Sequence, residues 1–175
     1  AGWYGLHTYC FLKKYFENKA VIKILEKDKK FFNNSSNFNQ NRLHLGYHYP
    51  RSFKTRKLCL DGYYKFLQEY ENVLDSINSN FYLISKNSIL DFESYLKIFD
   101  NKLYSHNIIK NIIFKNIDGD IIKTQEKIIN SNKVHDFFKN KLNDNDIIMD
   151  YEVKIITKNN NKIILNNDID CDLLI

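Results

Sequence analysis

The stretch that decides the fold runs from Ala1-Gly2-Trp3-Tyr4-Gly5 to the apolar run Ala20-Val21-Ile22-Lys23-Ile24-Leu25, which ends in Glu26. Between them, apolar side chains at nearly helical spacing predict a helix over residues 4–16. The run at 20–25 is apolar almost throughout, which is typical of a parallel strand covered on both faces. The order of glycines, helix and strand therefore predicts an α/β fold built on a βαβ unit.

The glycines fit the dinucleotide-binding fingerprint G-x-G-x-x-G, with Gly2 and Gly5 as its second and third glycines. Glu26 follows by about 20 residues, the distance expected of a carboxylate that accepts hydrogen bonds from ribose hydroxyls. Two glycines before a helix also occur by chance, and a Glu at a strand end is commonly just solvated, so both interpretations stay open here. The first glycine and first strand would lie upstream, and no Met precedes Ala1, so we expect a piece of a longer protein.

Composition narrows the function classes. The 175 residues can bury one core, or one core with a small subdomain, and the net charge of +5 comes from dispersed lysines. We therefore expect no nucleic-acid partner, and the absence of an 18-residue apolar run predicts no membrane partner. Cys10, Cys59 and Cys171 form no C-x-x-C pair, which favours reduced core residues of a cytoplasmic protein over a reactive thiol or a flavin attachment point. No metal site is expected.

The remaining elements follow from periodicity and turn residues. Residues 28–40 are polar and predict a long loop, whereas apolar residues three and four apart predict a helix over 60–77. A strand is predicted at 81–84, a capping box at 88–91 opening a helix that runs to 99, and a second helix at 134–142. A hairpin is predicted from 112–114 through Asp118-Gly119 to 121–122, and further strands at 153–156, 163–165 and 173–175.

The segment Asn39-Gln40-Asn41-Arg42-Leu43-His44-Leu45-Gly46-Tyr47-His48-Tyr49-Pro50 holds more polar and aromatic anchors than a connecting loop needs. It resembles the flavin-facing loop and following helix of FAD-dependent oxidoreductases of the D-amino-acid-oxidase-like family. That family includes glycine oxidase and 2-hydroxyglutarate dehydrogenase, and the latter enzymes carry a similar Asn-x-x-x-x-His-x-Gly pattern. Asn37, where the family's loop would favour glycine, is a departure, although Asn tolerates left-handed backbone.

The resemblance implies a fold and a domain organisation. It implies an FAD-binding Rossmann-like three-layer domain, lacking its first strand, over residues 1–78 and 141–175. An inserted α+β substrate subdomain would occupy 79–140. Residues 170–175 look like the family's strand that runs into an Asn-Ala-Thr-Gly turn over the cofactor.

The resemblance also implies a cofactor and a set of residues that hold it. The FAD-binding residues that it implies are Gly2, Gly5, Glu26, Lys27, Ser35, Ser36, Asn41, Arg42, Leu43, His44 and Val153. Side-chain chemistry agrees, because Asn41 and Arg42 offer donors and His44 and His48 can hydrogen-bond a flavin ring or a substrate. In the simpler alternatives, Arg42 pairs with a surface carboxylate and His48 caps a turn.

The implied activity is hydride removal from a C–H that bears an amine or hydroxyl, with FAD as acceptor and a small amino- or hydroxy-acid-like substrate. We expect residues 2–5 and 41–44 to meet at one cleft, and the 175-residue chain alone neither to hold FAD tightly nor to turn over substrate. The catalytic residues, the substrate and the oligomeric state stay open. The alternative is a non-catalytic nucleotide-binding module of the same fold.

Overall fold

A computed structural model describes residues 1–17, 19–109 and 116–175. The chain forms two compact units. The first combines Ala1–Asn39 with His135–Ile175, and the second is the continuous segment Gln40–Val134. The cofactor-binding role expected of residues 1–78 and 141–175 and the substrate role expected of 79–140 stay predictions. The Rossmann-like three-layer arrangement stays a prediction as well.

The elements of both units are numbered in chain order. The helices are α1 (Trp3–Tyr15), α2 (Phe53–Tyr70), α3 (Phe92–Phe99) and α4 (Ser131–Lys139). The strands are β1 (Ile24–Leu25), β2 (Arg42–Leu43), β3 (Leu74–Asp75), β4 (Asn80–Ser85), β5 (His106–Ile109), β6 (Gly119–Thr124), β7 (Lys127–Ile129), β8 (Ile147–Ile148), β9 (Ile156–Asn159), β10 (Lys162–Leu165) and β11 (Ile169–Cys171). Within these residues, none of the helices is long and apolar enough to cross a membrane.

The first unit is built on α1 and a short parallel strand pair. Strand β1 lies parallel to β8, with Ile24 opposite Ile147. Leu6 and Tyr9, three residues apart on α1, are buried, and the ring of Trp3 packs 5.7 Å from that of Phe32. Strands β9, β10 and β11 form an antiparallel sheet with β10 in the centre.

Several predictions for the first unit are confirmed and others are wrong at their boundaries. Helix α1 is confirmed, but the strand predicted at 20–25 is reduced to its last two apolar residues, and Val21 is exposed. The strand predicted at 173–175 is wrong, because β11 ends at Cys171, where it pairs with Ile163. The helix predicted at 134–142 begins and ends three residues earlier, and the strand predicted at 153–156 begins only at Ile156.

The second unit has two antiparallel sheets, ordered β2-β7-β3 and β4-β6-β5. Its buried core comes from the 43–47 segment, α2, both sheets and α3. The buried residues of this core are Leu43, Leu45, Tyr47, Leu60, Tyr63, Leu74, Tyr82, Ile84, Tyr95, Phe99 and Ile122. The apolar residues of α2 and the aromatic residues of α3 therefore share one core with the 43–47 segment.

The helix predicted at 60–77 is α2, but both ends differ. It begins at Phe53, where the Ser52 side chain accepts a hydrogen bond from the Thr55 amide at 3.2 Å. It ends at Tyr70 because Leu74, although helically spaced, pairs with Ile129 as part of β3. The predicted strand at 81–84 is confirmed. The capping box predicted at 88–91 is wrong, because α3 begins only at Phe92 and Asp91 itself is its N-cap, accepting from the Ser94 amide. Of the predicted hairpin, residues 112–114 lie outside the described residues, whereas 121–122 belong to β6.

Candidate functional site

Glu26 lies directly after β1, in the first unit. Its side chain is 6% exposed, with Oε1 accepting from the Asp28 amide at 2.9 Å and Oε2 accepting from the Ala1 nitrogen. Its own amide donates to the Ile148 carbonyl, and its carbonyl accepts from the Tyr151 amide, both at 2.9 Å. Because each carboxylate oxygen has two lone pairs, both oxygens keep capacity for another donor.

The N-terminus of α1 meets Ser36 beside this carboxylate. The Trp3 amide donates to Ser36 Oγ at 2.9 Å, and a Cβ at Gly2 would lie only 2.8 Å from the same oxygen. A side chain at position 2 would therefore displace Ser36. The first turn of α1 holds no acidic residue, so the partial positive charge of the helix end has no carboxylate partner in that turn.

Gly5 lies two residues after Trp3 in α1 and is exposed. A Cβ there would meet no heavy atom within 4 Å among the described residues. The close helix–strand packing expected of a third fingerprint glycine therefore has no partner in this part of the chain. What Gly5 provides is open space beside the first-turn amides, which have no acceptor within the helix.

The other predicted residues of the first unit have varied surroundings. Lys27 and Ser35 are exposed, and the Ser35 carbonyl accepts from Asn39 Nδ2 at 2.9 Å. Val153 is half-buried and follows Tyr151, whose amide binds Glu26, by two residues. The structure thus brings Gly2, Glu26 and Ser36 together around the start of α1.

Asn41 and Leu43, in the second unit, have structural surroundings. Asn41 has left-handed backbone, with φ of 50°, and its side-chain amide donates to Ser131 Oγ at 3.1 Å. Leu43 is buried in the core and pairs with Lys127 across β2 and β7. Both residues therefore shape the segment that carries His44.

Arg42 and His48 pack against the ring of Tyr82, and His44 packs against His48. The Arg42 guanidinium carbon lies 5.1 Å from that ring's centroid, and the His48 ring lies 4.7 Å from it. The His44 and His48 rings are 4.9 Å apart. The structure therefore places Arg42 over an aromatic face, and no carboxylate among the described residues forms the surface ion pair that was its simpler alternative.

Both histidines are neutral at pH 7 in these surroundings. Burial lowers the pKa of His44 below its usual 6.5, and the nearby Arg42 and His48 lower it further, while Glu126 opposes the change. The pKa of His48 is lowered by burial and by Arg42. His44 Nδ1 is buried and makes no hydrogen bond within the described residues.

Gly46 and Cys59 lie where the 42–48 segment packs against α2. Gly46 has φ of 104°, and a Cβ there would lie 3.1 Å from Arg56 Cα, so its close approach is to α2. Within the described residues the three cysteines form no disulfide, and each is half-buried rather than fully in the core. Burial and then the charge of Glu126 raise the pKa of the Cys59 thiol, which makes it less reactive at neutral pH.

Sequence reasoning missed Glu126. This side chain is 1% exposed, and Oε1 accepts from the Leu45 amide at 2.6 Å. Oε2 accepts from the Tyr82 hydroxyl at 2.6 Å and from Asn80 Nδ2 at 3.3 Å. Its neighbours in the sequence are polar and match no motif, so only the partners that the fold supplies could identify it.

The described residues also line a shallow cavity in the second unit, away from the predicted site residues. Its volume is about 400 Å³, and its lining residues are Glu93, Leu96, Lys97, Asp100, His106 and Ile108. None of the residues expected to bind a cofactor contributes to this lining.

Comparison with known proteins gives one informative relative. No protein-family profile matches the chain. The chain is 27% identical, over 141 residues, to the FAD-dependent monooxygenase FPY4 of Fusarium mangiferae, and the match covers 79% of the chain. The chain spans only 37% of the length of that relative. The relative supports the expectation of an FAD-dependent oxidoreductase in its general form, and the D-amino-acid-oxidase-like subtype stays a prediction.

Proposed function

We propose that this chain forms part of an FAD-dependent oxidoreductase and carries residues that bind the cofactor. The observation that carries the proposal is the meeting of Gly2, Ser36 and Glu26 at the N-terminus of α1. A carboxylate after a parallel strand, beside a glycine at a helix start, is the arrangement that binds a ribose and a pyrophosphate. The similarity to an FAD-dependent monooxygenase supports FAD as the particular nucleotide.

The donors and acceptors of the first unit fit the nucleotide half of FAD. Glu26 would accept from the ribose hydroxyls through the lone pairs that the Ala1 and Asp28 nitrogens leave free. The pyrophosphate would lie at the first-turn amides of α1, where the helix dipole favours an anion. The open space at Gly5 and the absence of acidic residues from that turn leave room for such a group.

We propose that the 42–48 segment of the second unit carries side chains whose chemistry suits a flavin ring or a substrate. When bound, FAD supplies the redox chemistry and accepts hydride from a C–H that bears an amine or a hydroxyl. His44, whose pKa burial lowers, would offer a mainly neutral imidazole that can donate one hydrogen bond and accept another with the flavin ring or the substrate. Arg42, held over Tyr82, would supply a fixed positive charge for an acid-like substrate.

A titration of the chain with FAD, followed by flavin fluorescence, tests the nucleotide assignment. Glu26→Gln should weaken binding by about 10- to 100-fold, equivalent to about 1.5–3 kcal/mol for hydrogen bonds to a charged group. The matched control is Glu152→Gln, which removes an exposed carboxylate from the same unit and should leave binding unchanged. Equal affinities for the wild type and Glu26→Gln would reject the role of Glu26.

The name of the relative favours monooxygenation as a second candidate. Monooxygenation places one oxygen atom of O₂ in the product and the other in water, and it needs an external reductant. Turnover of the full-length protein under ¹⁸O₂ separates the two reactions, because only monooxygenation labels the product with one ¹⁸O. Bleaching of its flavin by an amino or hydroxy acid without oxygen would instead support direct hydride removal. A full-length protein whose flavin no electron donor bleaches would support a non-catalytic nucleotide-binding module.

A further inference from the structure

Glu126 is a buried carboxylate that has no role in the proposed binding of FAD or substrate. Its three hydrogen-bond partners are the Leu45 amide, the Tyr82 hydroxyl and the Asn80 side-chain amide. Each of these groups can donate, and an ionised carboxylate can only accept, so the cluster fits the charged form of Glu126. Burial of a charge is strongly destabilising unless it is hydrogen-bonded in this way.

Two hydrogen-bond partners of Glu126 are each next to one of the two histidines. Leu45, whose amide binds Oε1, directly follows His44 in the chain. Tyr82, whose hydroxyl binds Oε2, holds its ring 4.7 Å from that of His48. One carboxylate therefore fixes the backbone next to one imidazole and the aromatic ring against which the other imidazole packs.

We propose that Glu126 is the positioning residue of the His44–His48 pair, orienting both imidazoles by holding the Leu45 backbone and the Tyr82 ring. The inference rests on the proposed function only for what these imidazoles face in the working protein. The arrangement of the cluster itself needs no cofactor. Arg42, whose guanidinium carbon lies 5.1 Å from the centroid of the Tyr82 ring, is the neighbouring cation in this cluster.

The charge of Glu126 gives the proposal an observable consequence. Burial lowers the pKa of both histidines, and Arg42 acts in the same direction on both. Glu126 acts in the opposite direction because a negative charge stabilises an imidazolium. Removing that charge should therefore lower both pKa values further.

Histidine titration by NMR on the labelled 175-residue chain, without cofactor, tests the proposal. In Glu126→Gln, which keeps the shape of the side chain, both histidines should titrate at lower pH, and the Leu45 amide resonance should move. The matched control, Glu71→Gln, removes an exposed carboxylate from the same unit and should change neither titration. The lower titrations follow from the lost charge, whereas altered imidazole resonances at a pH above both titrations follow from lost positioning. A merely structural Glu126 would lower the unfolding temperature and leave those resonances as in the wild type, which would overturn the proposal.

Tyr82→Phe keeps the test decisive if Glu126→Gln does not fold. This variant retains the ring and the Leu45 hydrogen bond but loses the hydroxyl that anchors the ring to Glu126. The His48 imidazole resonances should then move, and unchanged resonances in a folded variant would overturn the proposal. The FAD titration of the wild-type chain is independent: failure of FAD to bind would count against the proposed function, while shifted histidines would still support positioning.

Discussion

At the scale of single residues, Gly46 is the position where backbone conformation decides what is tolerated. Its φ of 104° lies in the region that favours glycine, and a Cβ there would lie close to the backbone of Arg56 and the side chain of Cys59. Gly62 offers the opposite case, since it lies inside α2 and a Cβ there meets nothing within 4 Å.

We predict opposite effects for Ala at these two glycines. Gly46→Ala should reduce the free energy of unfolding by about 1–3 kcal/mol, through backbone strain and contact with Arg56. Gly62→Ala should raise it by about 0.5–1 kcal/mol, because alanine loses less backbone entropy than glycine in a helix. Urea unfolding measures both changes. A Gly46→Ala variant with an unchanged free energy of unfolding would show that the backbone at Gly46 is not constrained in this way.

The residue scale also shows what sequence could and could not reveal about the site. A glycine, two histidines and an arginine within 42–48 indicated a specialised segment. The partner that Gly46 approaches is α2, and the carboxylate that holds Leu45 comes from a position 81 residues away in the sequence. Local patterns carry no information about such distant pairings, so Glu126 could not be inferred.

At the scale of elements, the ends of α3 have opposite electrostatic needs. Asp91 caps its N-terminus, where its carboxylate accepts from the Ser94 amide at 2.8 Å, whereas Asp100 lies at the C-terminal cap. The helix dipole favours a negative charge at the first end and disfavours one at the second. The pKa of Asp91 is lowered, first of all by the hydrogen bond from the Ser94 backbone.

We predict that Asp91→Ala lowers the unfolding temperature at pH 7, because α3 loses its cap. Asp100→Asn should leave the unfolding temperature unchanged or raise it slightly, since it removes a charge that the dipole disfavours. Thermal unfolding followed by circular dichroism measures both variants. The difference between wild type and Asp91→Ala should shrink as acid protonates Asp91, and an equal loss from both substitutions would contradict this account.

The elements show where periodicity succeeds as a predictor. Helix α1 and strand β4 were predictable because their apolar spacing is regular and both elements contribute buried side chains. The end of α2 was not, since Leu74 continues the helical spacing while its backbone pairs in a strand with Ile129. The strand predicted at 173–175 failed for the same reason, because an apolar run does not fix which residues pair with β10.

At the scale of the whole molecule, the first unit joins the two ends of the chain. Asp146 is one of the residues that make this junction: it accepts from the Tyr9 hydroxyl at 2.8 Å and pairs with Lys13 at 2.8 Å. The Lys13 bond lowers the pKa of Asp146 to about 2, assisted by the Tyr9 and Asn143 hydrogen bonds. Sequence could not predict this junction, because Tyr9 and Asp146 lie 137 residues apart.

The depressed pKa of Asp146 gives a signed pH dependence. Because its folded pKa lies below the unfolded value of 3.8, its ionised form stabilises the fold above that pH, and this stabilisation is lost as the pH falls towards about 2. Wild type should exceed Asp146→Asn in free energy of unfolding by about 1–2 kcal/mol at pH 6. Urea unfolding from pH 6 to 2 measures the difference, and a difference that stays constant with pH would rule out the ion pair as its source.

The central claim for the whole molecule is that the start of α1 and Glu26 hold the nucleotide part of FAD. The most direct measurement is an NMR titration of the ¹⁵N-labelled chain with ADP, which detects weak binding residue by residue. We expect the amide resonances at positions 2–5 and at Asp28 to shift saturably as ADP is added. These shifts should be lost in Glu26→Gln. Amides at positions 2–5 that stay unmoved at saturating ADP, or shifts that the Glu26→Gln substitution leaves intact, would contradict it.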